Sequence, residues 1–147
     1  MNIIWLIIII LLGFFLVGFS GTTVDPPPTA TSAMVEINGN PGVILDASSY
    51  RHDAEGWSPD LDSLQAAEDA VLAAPAGSRA PQIDGYRQYV ALVGEGDRKI
   101  IVNSMCTEID GWTEEYIEVM DGGSCFWHAL YNVDTGELEF LIVNGEA

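Results

Sequence analysis

The longest hydrophobic stretch of the chain runs from Ile3 to Phe19, broken only by Gly13 and Gly18, and it gives way at once to small, polar and proline residues. As a helix rising about 1.5 Å per residue it would reach roughly 25 Å, near the lower limit for a membrane-spanning segment. Two fates are consistent with it. An uncleaved single-pass anchor suits its length and the lack of any Lys or Arg before Arg51. A cleaved signal peptide suits the small residues Gly18 and Ser20, placed for processing before Gly21. Either way the acidic flank that follows places the remainder outside the cytoplasm, because Lys and Arg are the residues retained inside. Residues 1–20 are therefore assigned to a signal peptide or transmembrane anchor. Residues 21–33, with Pro26, Pro27 and Pro28, form a linker that favours extended conformations, and residues 34–147 form the extracytoplasmic domain.

Within that domain the periodicity changes twice. Met34 to Ile37 and Val43 to Asp46 are short apolar pieces around a turn-rich Asn38-Gly39-Asn40-Pro41-Gly42, which predicts a small hairpin. Leu61, Leu64, Ala67, Val71 and Leu72 recur at helical spacing, and Ser58 and Pro59 stand where a cap and first helical residue belong, predicting a helix over Pro59 to Ala74. From Tyr86 onward the period is two. Strands are predicted at Tyr86 to Val93, Lys99 to Met105, Tyr116 to Met120, Cys125 to Val133 and Leu138 to Val143, each separated by glycine-bearing turns. The expected fold is α+β, one amphipathic helix packed on a four- to five-stranded antiparallel sheet, with the N-terminal hydrophobic helix outside the domain.

Composition narrows the partners. The 147 residues hold 22 Asp and Glu against 5 Lys and Arg, a net charge of −17. With the bases scattered, nucleic acid is an unsuitable partner, because phosphate binding needs clustered cations. A 10% aromatic content is enough for a real core.

Cys106 and Cys125 are the two cysteines, and an even count in an exported chain predicts a disulfide. In a simple meander the end of the Lys99 strand and the start of the Cys125 strand lie at opposite ends of the sheet, so the bridge predicts a crossover connection over Cys106 to Glu115. A Cys125–His128 dyad is disfavoured, since residues three apart on a strand face opposite ways. His52, Cys106, Cys125 and His128 match no compact zinc spacing. A calcium loop centred on Gly111 would put Cys106 and Ile117 at its outer ligand positions, so that motif fails as well, although a looser cation site stays open. Glu114 and Glu115, adjacent on a strand, would diverge rather than share a substrate. The expectation is no metal and no cofactor.

Tyr86-Arg87-Gln88-Tyr89-Val90, Asn103-Ser104-Met105-Cys106, Asp121-Gly122-Gly123-Ser124-Cys125-Phe126, Tyr131-Asn132-Val133-Asp134-Thr135-Gly136 and the closing Asn144-Gly145-Glu146-Ala147 carry a resemblance. Over residues 57–147 the chain resembles a group of small exported bacterial proteins of unknown function. The resemblance implies a shared fold and brings no catalytic residue with it.

The function expected from these readings is a non-enzymatic protein-binding module outside the cytoplasm. Its candidate binding surface is Trp112, Trp127, His128, Tyr89 and Tyr116, with Tyr131 nearby in sequence, since Trp and Tyr anchor interfaces. Such a surface needs an unknown protein partner, and residues 3–19 would add the membrane if uncleaved. By analogy of fold alone, the helix-on-sheet plan is similar to the cystatin architecture and suits an inhibitor or assembly factor of an envelope enzyme. The alternative is a small hydrolase with carboxylates and His128 in a pocket on the sheet, identifiable by carboxylates about 5 to 10 Å apart.

Overall fold

The computed structural model describes residues 32–75 and 80–145. It is an α+β domain built on one six-stranded sheet, in which strand order equals chain order: β1 (Ala33–Ile37), β2 (Asn40–Leu45), β3 (Tyr86–Gly94), β4 (Asp97–Met105), β5 (Trp127–Asn132) and β6 (Glu137–Val143). Two tight turns start the pairing. Asn38-Gly39 and Glu95-Gly96 both hold positive φ at each residue, the geometry that matches the twist of a two-residue hairpin. β1–β2, β3–β4, β4–β5 and β5–β6 are antiparallel, but β2 docks parallel to β3, with Val43 opposite Gln88 and Leu45 opposite Val90. The sheet is thus larger than expected and mixed rather than antiparallel. The reason is that the Asn38-Gly39 hairpin is not a satellite; a long connection carrying both helices returns the chain beside it.

That connection holds α1 (Ala47–Tyr50) and α2 (Leu61–Ala73). The helix cap differs from the expectation at Ser58. Asp60 is the N-cap, its carboxylate accepting from the Ser63 amide at 2.8 Å, so Pro59 precedes the helix. Leu64, Ala67 and Val71 then face the sheet and pack with Ile37, Tyr89, Ala91, Ile100, Val102, Trp127, Ala129 and Tyr131. Gly42 permits a close approach here, since a Cβ would stand 2.7 Å from the Tyr89 ring.

The opposite sheet face is also covered. Val43, Leu45, Val90, Ile101 and Met105 bury against α1 and against Ile109, Trp112, Tyr116, Ile117 and Phe126 of an irregular segment between β4 and β5. The expected strand at Tyr116 to Met120 does not form; those residues belong to this cover. Burial on both faces explains why Arg87, Gln88, Tyr89, Val90 and Ala91 are all inside.

A non-repetitive cover offers many backbone carbonyls without ladder partners. Three side-chain amides receive them. Gln88 Nε2 donates to the Trp112 and Glu115 carbonyls at 2.6 and 2.7 Å, while its Oε1 accepts from the Ile117 amide and from Asn103 Nδ2, both at 2.9 Å. Asn103 Nδ2 also donates to the Ile117 carbonyl at 2.8 Å. Asn144, just after β6, donates to the Val119 and Asp121 carbonyls.

Cys106 and Cys125 form the disulfide, with Cα atoms 5.0 Å apart. No crossing of the sheet is needed. Because Tyr116 to Met120 is not a strand, β4 neighbours β5 directly, Ser104 pairs with Trp127, and the cysteines sit at the same end. The bridge closes the base of the cover. The double variant Cys106→Ser with Cys125→Ser is expected to lose about 3 kcal/mol of stability by the chain-entropy model, read from urea unfolding.

Among the described residues no helix is long and apolar enough to cross a membrane. The expected signal or anchor at residues 1–20, and the linker up to residue 31, lie outside the described residues.

Candidate functional site

Strand alternation decides which expected surface residues are available. On β3 and β5, Tyr89, Trp127 and Tyr131 point to the α2 side and are buried, while Trp112 of the cover is buried against the sheet. His128 points the other way, opposite Asn103 on β4 and Ile142 on β6, and Tyr116 lies on the cover beside it. The structure therefore brings Tyr116 and His128 together and places Tyr89, Trp112, Trp127 and Tyr131 in the interior.

Tyr116 and His128 line a cleft of about 350 Å³ between the cover and the β5–β6 end of the sheet. Its walls include Tyr50, Glu118, Met120, Phe126 and Ile142. Tyr50 stands edge-on to Tyr116 at 5.0 Å, and Phe140 edge-on to His128 at 5.8 Å. Burial pushes the His128 pKa down and so favours a neutral imidazole, outweighing the Glu118 carboxylate, which pulls it up. Burial, with Tyr50 and Glu118 adding to it, pushes the Tyr116 hydroxyl up, so it stays a neutral donor and acceptor. Met120 and Ile142 of the cleft lining are 79% and 48% exposed, and Phe140, against His128, is 37% exposed.

The surroundings are acidic for a structural reason. Each Lys and Arg among the described residues pairs with a carboxylate of the same chain: Arg87 with Glu68 and Lys99 with Glu95 and Glu139 from buried positions, Arg51 with Asp53 and Arg98 with Asp134 at the surface. Hydrogen bonds from Arg98 hold Asp134 below the usual carboxylate range, and the Lys99 ammonium does the same for Glu139. Glu118, Asp121 and Glu137 carry no ion pair among the described residues.

A second polar cluster, which strand periodicity does not reveal, lies beneath α2. Glu68 and Arg87 are 1% and 0% exposed and pair at 2.9 Å. Tyr89 donates to the same Glu68 oxygen at 2.9 Å, Arg87 Nη1 donates to Ser104 Oγ at 2.8 Å, and Arg87 Nη2 donates to the Ile83 carbonyl. The guanidinium also lies 4.8 Å from the centre of the Trp127 ring. Among the described residues every one of these buried polar atoms is satisfied, as a packing device requires.

Glu114 and Glu115 border a shallow depression with Asp46 and Ser48, away from His128. Among the described residues no three His, Cys, Asp or Glu side chains come together as a metal site. Comparison of the chain with protein-family models, with curated proteins and with solved structures finds no match.

Proposed function

We propose that the chain is an acidic protein-binding module outside the cytoplasm, anchored through residues 3–19 or released after cleavage near Ser20, and that it holds a basic partner protein at the Tyr116–His128 cleft. The observation that carries this reading is an aromatic and aliphatic cleft lined by the exposed Ile142 and Met120, in a chain whose described Lys and Arg side chains are each paired with its own carboxylates. Apolar anchors in a pocket supply affinity, and surrounding carboxylates supply orientation and rate of encounter. The disulfide supports an oxidising compartment. The hydrolase alternative has less to support it. Hydrolysis by paired carboxylates needs two of them within about 5 to 10 Å, and among the described residues Glu118 is the one carboxylate in the cleft lining.

The test is native mass spectrometry of the full chain recovered gently from its own cells and medium, compared with Ile142→Asp. Ile142 is half-exposed on an outer strand, so the substitution should leave the fold intact. A stoichiometric partner rich in Lys and Arg should accompany the natural chain and fall by about tenfold with the variant. Recovery of the chain alone, or a partner retained by Ile142→Asp, would overturn the proposal.

A further inference from the structure

Strand β6 ends the sheet, and no other strand among the described residues pairs with its outer edge. Natural edges are commonly guarded by Lys, Pro, inward charge or a bulge. β6 has such protection only in its first half, where Glu137 and Glu139 stand and where the pairing slips between Leu130 and Tyr131. From Phe140 to Val143 the strand is regular and apolar, and Phe140 and Ile142 are exposed on one face. The opposite edge is a poorer template. β1 is 5 residues long and exposes one large hydrophobic side chain, Met34.

Phe140 and Ile142 are two residues apart, so their side chains repeat at about 7 Å, the interval at which a neighbouring strand presents its own alternate side chains. Glu137 lies at one end of this row, and Glu118 and Asp121 lie near the other, where the Asp121 carbonyl receives Asn144. A second copy of this chain fits badly. Self-pairing of β6 would bring Glu137 and Glu139 of both copies into one sheet, between molecules that each carry −17.

We infer that β6 accepts an extended basic segment of the partner protein as an added strand, with apolar side chains two apart resting on Phe140 and Ile142 and Lys or Arg facing Glu137, Glu118 and Asp121. This rests on the binding-module reading and specifies its mode: backbone hydrogen bonds give affinity, and the alternate side chains and the acidic ends give selectivity. The cleft beside Ile142 then receives a side chain from the same segment.

The probe is a fluorescent peptide, Arg-Lys-Val-Arg-Val-Lys-Ile-Lys-Arg, titrated into the full-length protein at low and high salt. Binding should weaken with salt and slow the amide exchange of Phe140 to Val143. Methylating the peptide nitrogens that face β6 should weaken it by about tenfold or more, while methylating the alternate nitrogens should have little effect. The counterpart with Glu at every basic position should not bind. Three results would overturn strand addition: no binding at about 1 mM peptide, equal tolerance of both methylation patterns, or equal binding of the acidic counterpart. Binding that shifts Tyr116 and His128 but leaves β6 exchange unchanged would also overturn it, while leaving the basic-partner reading standing. Failure of the partner reading itself is read separately, from the native-mass comparison with Ile142→Asp. Sedimentation of the protein alone should give a monomer; a dimer broken by Ile142→Asp would assign β6 to a second copy instead.

Discussion

Arg87→Met is expected to lower the unfolding free energy by about 3 to 5 kcal/mol, the usual consequence of leaving one member of a buried ion pair alone. The loss has identifiable parts. Glu68 keeps only the Tyr89 hydroxyl, the Ser104 hydroxyl and the Ile83 carbonyl lose a donor, and Trp127 loses the cation over its ring. The pair itself need not be strongly stabilising, because desolvating two charges offsets much of their attraction. The double variant Arg87→Met with Glu68→Leu should therefore recover a large part of the loss. Urea unfolding of the single and double variants measures both. A double variant that loses the sum of the two single losses would show that the pair has no such coupling.

Gln88→Met should cost about 3 kcal/mol or more, although it nearly preserves volume. The glutamine uses all its hydrogen-bonding capacity on the cover and on Asn103, and each buried backbone group left without a partner costs about 1 to 3 kcal/mol. The damage should be local in character. Amides from Trp112 to Ile117 should exchange faster than those of β3 and β4, and the cleft wall at Tyr116 should loosen with them. Hydrogen exchange read residue by residue would test this; uniform acceleration across the sheet would contradict it.

These two sites mark where the sequence was readable and where it was not. The Glu95-Gly96 turn, the flanking strands, β5, β6 and the α2 stripe are legible because local periodicity and turn chemistry specify each of them. The Cys106–Cys125 bridge is legible from pairing alone. The parallel docking of β2 on β3 is not, because nothing local encodes which edge a returning chain will meet. Arg87, Gln88 and Asn103 are polar, yet each is buried with partners distant in sequence that no local pattern names. Tyr116 to Met120 has the apolar content of a strand, and its backbone instead finds side-chain amides from β3, β4 and the residue following β6. Of the expected surface, Tyr116 and His128 reach the cleft. The aromatic residues Tyr89, Trp112 and Trp127 could not be sorted from them without knowing that both sheet faces are covered. Met120 and Ile142, which also line the cleft, carry no signal beyond being apolar on a short strand or loop.

The strand order has a spatial consequence. β1, the first strand, and β6, where the apolar row lies, are opposite margins of the same sheet. With strands about 4.8 Å apart, the two margins are separated by about 24 Å. The sheet thus acts as a spacer as well as a scaffold. Whatever restrains the chain ahead of β1, a segment laid along β6 is held a domain's width away and meets its own surface of solvent.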